Sequence, residues 1–255
     1  MTASQSVWGA SLLAVAIASA LPLLATWWLA TRPAVTSALL PRLILIAAGA
    51  LFGAASFHLI PDALREASPL RVATLVALGV LALGGLERLI HALERPSASH
   101  PPHAPHGHVG HLMPLGIASD ALHNTIDGAL IATAFVTNPS LGMFTGAAIA
   151  LHELPRELGT YALCVEAGMS PRRAILVNAG TGVLALLGAT LVLLVGTGAQ
   201  RLGALLVPFA AGNFLYLAGA ILVAQRGRLA AGDTGQRVLY VMAGVAATAV
   251  LRGGH

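Results

Sequence analysis

Eight long apolar runs constrain this chain more than any other feature of its sequence. They cover roughly residues 7–30, 38–60, 70–91, 112–136, 141–165, 173–197, 202–224 and 236–252. An α-helix needs about 20 mostly apolar residues to cross a bilayer. Inside the hydrocarbon every backbone polar group must be paired within the protein, which favours helices. We therefore predict an all-α polytopic membrane protein with about eight transmembrane helices, forming a single domain over residues 1–255.

Composition and charge agree with a membrane protein surrounded by lipid. Only 9% of the residues are charged and the mean hydropathy is +0.80, whereas a soluble domain carries about 25% charged residues. All 14 basic side chains are arginine. With the N-terminus outside, nine arginines fall in cytoplasmic segments and four in outer segments, so the positive-inside rule favours two outer termini. The formal charge of +4 therefore reflects topology and indicates no nucleic-acid partner.

Turn and breaker residues separate the runs. They are Arg32-Pro33, Pro61-Asp62, Asn138-Pro139-Ser140, the stretch from Gly168 to Pro171 and the stretch from Arg226 to Gly235. We accordingly expect the second apolar run to end just before Pro61.

Two polar stretches interrupt the fourth and fifth runs. The first reads HNTIDG over 123–128 and the second reads HELPRE over 152–157. Ionisable groups are costly inside a membrane and usually face a bundle interior or a water-filled path. Residues four apart share one face of a helix, which pairs His123 with Asp127 and His152 with Arg156. Imidazole beside carboxylate is ligand chemistry for a divalent transition metal, so these stretches predict a metal site.

Arg156 complicates this interpretation because a guanidinium stays protonated and cannot bind a metal ion. Three roles are open at this point. The side chain pairs with Glu153, Glu157 or Asp127 and turns away from the ion, or it gates the route or substitutes for a second cation, or it impairs the site as a transporter.

The segment 92–111 is a predicted cytoplasmic loop between the third and fourth spans. It is rich in proline and histidine, with His100, His103, His106, His108 and His111. Short histidine-rich tracts are typical of metal binding. A disordered linker and a weak, exchangeable site for metal capture are the two interpretations.

At the polar stretches the chain resembles the ZIP (Zrt-, Irt-like) family of divalent-metal transporters. The HN-x-x-D-G pattern is met by His123, Asn124, Asp127 and Gly128, with an upstream acid at Asp120. The HE-x-P-x-E pattern is met by His152, Glu153, Pro155 and Glu157. The resemblance recurs in FHLIPD over 57–62 and in AGNFLY over 211–216.

The resemblance implies specific roles for these residues. The primary metal site would use His123, Asp127 and His152, and an adjacent second site would use Asn124 and Glu153. Accessory or gating positions would be Arg156, Glu157, Asp120, His58 and Asp62, the last two near the outer end of the path. Zn(II) or a similar ion would be a transported substrate entering the cytoplasm, with no cofactor.

The resemblance also implies an architecture and a location. We expect a ZIP-like 3+2+3 arrangement of spans, a homodimer, and residence in a cell membrane, specifically a bacterial inner membrane. The sixth and seventh spans lack the acids of many relatives, and Arg156 stands where His or Gln is usual. We therefore expect one principal ion rather than two.

Three other functions are weighed against transport of a divalent metal. The metalloprotease signature HExxH is not met, because Arg156 replaces its second histidine and Pro155 lies within it; the chain is therefore not expected to be an enzyme. A non-transporting metal sensor or scaffold, with a site altered by Arg156, is the main alternative. Transport of another substrate is the third.

Overall fold

The computed structural model describes residues 5–93, 112–195, 198–225 and 234–249, and these residues form helices and no strand. A few side chains inside the helices, including that of His152, lie outside the description. In chain order the elements are α1 (Gln5–Ala30), α2 (Pro33–Ala54), a π turn (Ala55–Leu59), α3 (Ile60–Glu66), α4 (Pro69–Leu93), α5 (Leu112–Thr137), α6 (Pro139–Glu166), α7 (Pro171–Val195), α8 (Gly198–Ala224) and α9 (Thr234–Ala249).

Local sequence sets both ends of α6. Asn138 is extended, and its side-chain oxygen accepts hydrogen bonds from the backbone N–H groups of Ser140 at 2.8 Å and Leu141 at 3.4 Å. Asparagine is a favoured N-cap, and Pro139 occupies the first turn, where no N–H partner is needed. After α6, Gly168 adopts a φ of 93°, a conformation that glycine reaches at no steric cost. The predicted breaks on both sides of α6 are confirmed.

The prediction that the second span ends before Pro61 is wrong. The chain stays helical through the π turn and α3, and it becomes extended only at Ala67, with φ −141° and ψ 158°. A proline lacks the N–H that would donate to the preceding turn. Here Pro61 is the second residue of α3, separated from the π turn by Ile60, and a missing donor is tolerated in the first turn of a helix. His58 in the π turn and Asp62 in α3 therefore lie on one continuous helical stretch.

The helices pack as two groups. In the first group α1, α5, α6 and α7 contact one another, and in the second group α8 packs on α2 and α4 while α2 packs on α9. The groups meet where α2 contacts α6 and α5 contacts α8. One apolar core lies within the first group, and a larger one joins residues of α2, α4, α5, α6 and α8. The two polar stretches therefore lie on helices at the boundary between the groups.

Glycines bring three helix pairs into backbone contact. In each pair a glycine of either helix faces a backbone carbonyl of the other, so an added Cβ would collide with that oxygen. The pairs are α5 with α7 (Gly128 and Gly188), α2 with α9 (Gly49 and Gly244), and α4 with α8 (Gly79 and Gly212). Small residues at helix interfaces allow close packing in membranes. Gly128, the last residue of the first polar stretch, therefore lies directly against the backbone of α7.

Five helical segments in the described part are long and apolar enough to cross a membrane. They are Gln5–Ala30, Ala38–Glu66, Pro69–Leu89, Pro171–Val195 and Ala204–Ala224. The helices α5 and α6 carry the two polar stretches, and the described part of α9 is only 16 residues long. Many large apolar side chains are exposed on the apolar segments, including Leu81 and Leu176.

Candidate metal site

Three side chains that can bind a metal ion meet between α5 and α6. His123 and Asp127 come from successive turns of α5, and Glu153 comes from α6. The His123 Nε2 atom lies 3.3 Å from Asp127 Oδ2 and 3.7 Å from Glu153 Oε1. One ligand atom from each residue lies within 4.8 Å of the others, and all three residues are buried. We call these three residues the metal cluster.

The donor set of the metal cluster suits a divalent transition metal. One imidazole nitrogen and two carboxylates provide three ligands of two types that zinc accepts, with Zn–N and Zn–O distances of about 2.0–2.2 Å. Separations of 3.3 and 3.7 Å are close to those of ligand atoms that bind one ion at about 2.0–2.2 Å. The two carboxylates balance the charge of a dication, which matters where water is excluded.

An aromatic ring from α8 covers one side of His123. The Phe214 ring centroid lies 4.5 Å from the imidazole centroid, with 44° between the planes. Phe214 is only 1% exposed, so this contact fixes the imidazole and shields it from lipid. Sequence reasoning noted the stretch 211–216 but assigned Phe214 no role. The contact depends on α8 meeting α5, which helical periodicity alone does not reveal.

The two residues predicted for the second site have different neighbours: Glu153 belongs to the metal cluster, whereas Asn124 is not one of its three residues. The Asn124 amide nitrogen donates to Glu157 Oε1 and to the Asp120 carbonyl, each at 3.2 Å. Asn124 thus lies on the side of Asp120 and Glu157. The predicted ligand His152 belongs to α6 next to Glu153, but its side chain lies outside the described part of the structure.

Arg156 is the centre of a second buried group. Its Nε donates to Glu153 Oε1 at 2.8 Å and its Nη2 donates to Glu153 Oε2. Its Nη1 donates to Asp120 Oδ1, and Glu157 Oε1 lies 3.6 Å from Nη2. We call Arg156, Asp120, Glu153 and Glu157 the arginine cluster. Glu153 belongs to both clusters.

The contacts of Arg156 include ion pairs that were one of the three roles left open by the sequence. Pairing with Glu153 and Glu157 is observed. Asp120 is an additional partner that sequence reasoning missed as a pairing residue. Asp120 was placed on the same helical stripe as His123, but its contact with Arg156 depends on how α5 and α6 are aligned.

A second missed residue, Asn178 of α7, supports the arginine cluster. Its amide nitrogen donates to the Glu157 backbone oxygen at 3.0 Å, and the residue is fully buried. Among the described residues, Asn178 Oδ1 and Glu157 Oε2 have no hydrogen-bond partner. The only signal in the sequence was a polar residue inside the apolar run 173–197.

The accessory residues His58 and Asp62 each have a partner that belongs to neither cluster. His58 Nε2 lies 2.5 Å from the Thr248 carbonyl near the end of α9. Asp62 is exposed and pairs with Arg65 at 3.0 Å. The loop histidines His100, His103, His106, His108 and His111 lie outside the described residues.

Comparison with known sequences decides the family. The sequence model of the family described as ZIP zinc transporter matches residues 114–252, which includes both clusters and more than half of the chain. The chain belongs to the ZIP zinc transporter family. The resemblance stated from the motifs is therefore confirmed. ZIP transporters are multi-pass membrane proteins, and the five apolar helical segments fit that description.

Several relatives are similar to part of the chain. Zinc transporter ZIP6 of Homo sapiens is 39% identical over 102 residues, 40% of this chain and 14% of the relative. Zinc transporter foi of Drosophila melanogaster is 40% identical over 102 residues, with the same coverage. Zinc transporter ZIP4 of Mus musculus is 39% identical over 99 residues, 39% of this chain and 15% of the relative. The similarity thus spans about one seventh of these longer proteins.

Proposed function

We propose that this ZIP family member carries Zn(II), or a similar divalent ion, across a membrane into the cytoplasm. The observation that carries the proposal is the buried grouping of His123, Asp127 and Glu153 between α5 and α6. Ionisable groups buried among membrane helices are costly and usually serve an ion path. In this proposal His152 supplies a further ligand from α6.

The chemistry of the metal cluster supports a borderline metal ion as the substrate. Imidazole suits zinc, iron, copper and nickel, while carboxylates suit harder ions, and thiolates would favour softer ones. The free Cys164 is not part of the cluster. The relatives described above are named as zinc transporters, which favours zinc and does not favour a non-transporting sensor or scaffold.

The proposed architecture places the whole chain in the membrane as one transporter domain. It has eight spans in a 3+2+3 arrangement, two outer termini and a cytoplasmic histidine-rich loop that captures metal, and it forms a homodimer. We propose a cell membrane as its location. The relatives described above are eukaryotic, so they give no support to a bacterial inner membrane.

A cavity supports an inner exit route in this topology. It lies between α2, α5, α6 and α8, and its polar wall includes Ser119, Asp120, Arg156 and Thr160. Ser119 and Asp120 are closer to the start of α5 than His123 is, and Arg156 and Thr160 are closer to the end of α6 than Glu153 is. With the 92–111 loop in the cytoplasm, that side is the cytoplasmic side. An ion leaving the metal cluster inward would pass Arg156.

Uptake of radioactive zinc by proteoliposomes containing the full chain tests the proposal. We expect uptake by the wild type and background uptake by His123→Ala and Asp127→Ala. Glu66→Ala is the matched control, because it removes an exposed carboxylate at the end of α3 and should leave uptake unchanged. Equal uptake by the wild type, both cluster variants and protein-free vesicles would contradict transport through this site.

A further inference from the structure

Glu153 faces two cation positions at once. Its Oε1 atom is 3.7 Å from His123 Nε2, on the side of the metal cluster. The same Oε1 atom accepts a hydrogen bond from Arg156 Nε at 2.8 Å, and Oε2 accepts one from Arg156 Nη2. When an ion occupies the metal cluster, Glu153 stands between that ion and the guanidinium. Paired metal ions, in sites that use two, lie about 3.5–4 Å apart, and here one oxygen atom, Glu153 Oε1, lies close to both His123 and Arg156.

The guanidinium is surrounded by carboxylates as a metal ion would be. Asp120, Glu153 and Glu157 all lie within ion-pair distance, and Arg156 itself is 5% exposed. A structural ion pair needs only one partner, and taking each further carboxylate out of water is costly. A guanidinium keeps its charge in proteins, so it is a permanent cation in this position.

Two buried oxygen atoms, one in the arginine cluster and one on a residue that contacts it, accept no hydrogen bond from the described residues. In the described part of the chain Glu157 Oε2 and Asn178 Oδ1 have no hydrogen-bond partner, although the two residues are 4% and 0% exposed. Buried acceptors of this kind are rarely left without a partner. The spare Glu157 oxygen belongs to a carboxylate that already lies 3.6 Å from the Arg156 guanidinium, so this position offers a ligand atom that a divalent ion could use.

We infer that Arg156 is a resident cation that fills the second position of a two-cation site and limits this chain to one bound metal ion. The four carboxylates of the two clusters and the one guanidinium carry a formal charge of −3. One divalent ion brings this to −1, whereas two divalent ions beside the guanidinium would leave a buried excess of +1. The inference rests on the proposed function, because the first ion is the transported substrate.

Counting bound zinc per chain tests the inference. The parent is the full chain with the five histidines of 92–111 changed to serine, so that the loop adds no zinc. We expect one zinc in the parent and two in Arg156→His, which removes the fixed charge and adds a ligand. Arg156→Lys keeps the charge and should bind one. Arg173→His is the matched control, because it adds a histidine at an exposed position in the first turn of α7, and should also bind one.

A second measurement keeps the inference testable if Arg156→His does not fold. Mn(II) bound to the parent should give an electron paramagnetic resonance spectrum of isolated ions, and Arg156→Gln should gain the signal of coupled pairs. Two zinc ions in the parent, coupled Mn(II) in the parent, or two ions in Arg156→Lys would overturn the inference. One zinc in the parent, Arg156→His and Arg156→Gln would overturn it and leave the proposed function standing. A parent without zinc would contradict both.

Discussion

The two halves of the buried polar core use the same kind of acid for different purposes. In the metal cluster the carboxylates lie beside an imidazole, at distances of 3.3 and 3.7 Å. In the arginine cluster the carboxylates already hold a guanidinium in direct contact. The difference shows that a row of buried acids does not define a metal site. We propose that the cation supplied by the chain itself determines which half binds an exchangeable ion.

Removing the carboxylate that the two halves share should have the largest effect. Glu153→Gln deletes a ligand of the metal cluster and takes one partner from the buried Arg156. Removing one partner of a buried ion pair costs about 3 kcal/mol. We therefore expect the thermal unfolding temperature in detergent to fall and zinc uptake to drop to background. Glu66→Gln, which changes an exposed glutamate, should alter neither. If Glu153→Gln retained zinc uptake, the Glu153 carboxylate would not be a required ligand of the metal cluster.

Helix packing behind the metal cluster should give the next effect. Gly128 follows Asp127 and faces the Ala185 carbonyl of α7, so Gly128→Ala forces α5 and α7 apart. Overpacking of this kind costs about 1–3 kcal/mol, measured as loss of thermal stability together with weaker zinc binding. Gly180→Ala, where the added methyl meets nothing within 4 Å, is the control. If the two variants were equally stable, the close packing of α5 against α7 at Gly128 would not be required for the metal cluster.

A change confined to the arginine cluster should be milder. Asp120→Asn removes one charge beside Arg156 and leaves the three residues of the metal cluster unchanged. Mutation of groups that support metal ligands typically lowers metal affinity 10–100-fold. We therefore expect zinc affinity to fall by about 10-fold, while uptake at saturating zinc persists. Complete loss of uptake would mean that Asp120 itself binds the substrate. Zinc titration and uptake at saturating zinc separate these outcomes.

The smallest effect should come from the ring that covers His123. Phe214→Leu keeps an apolar side chain but removes the ring 4.5 Å from the imidazole. Apolar swaps in a core usually cost less than about 1.5 kcal/mol, so we expect a small loss of stability and a several-fold weaker zinc affinity. Leu222→Ala, at a partly exposed position on the same helix, is the control. An unchanged affinity in Phe214→Leu would show that the ring serves only packing.

Periodicity predicted most of the helices and the register of α5 and α6. Residues four apart share a helix face, which is why His123 and Asp127 could be paired from the sequence. The continuation of the second span through Pro61 was missed because the preceding π turn leaves no mark in the sequence. Each of these features depends on neighbours close along the chain.

Contacts between distant helices could not be predicted in the same way. Asp120 meets Arg156 only because α5 and α6 pack with their polar faces together. Asn178 and Phe214 come from α7 and α8, and one polar or aromatic residue inside an apolar run does not indicate its partner. The family resemblance implied a second site at Asn124 and Glu153, but the position of the Arg156 guanidinium could not be predicted from the sequence.

Anomalous scattering at the zinc edge, from crystals of the full chain soaked in zinc, tests the central claim most directly. The account predicts one peak in the polar core, about 2.0–2.2 Å from His123 Nε2 and from carboxylate oxygens of Asp127 and Glu153, with Arg156 still on Glu153. A peak between Asn124, Asp120 and Glu157 with Arg156 displaced, or no peak beside His123, would contradict it.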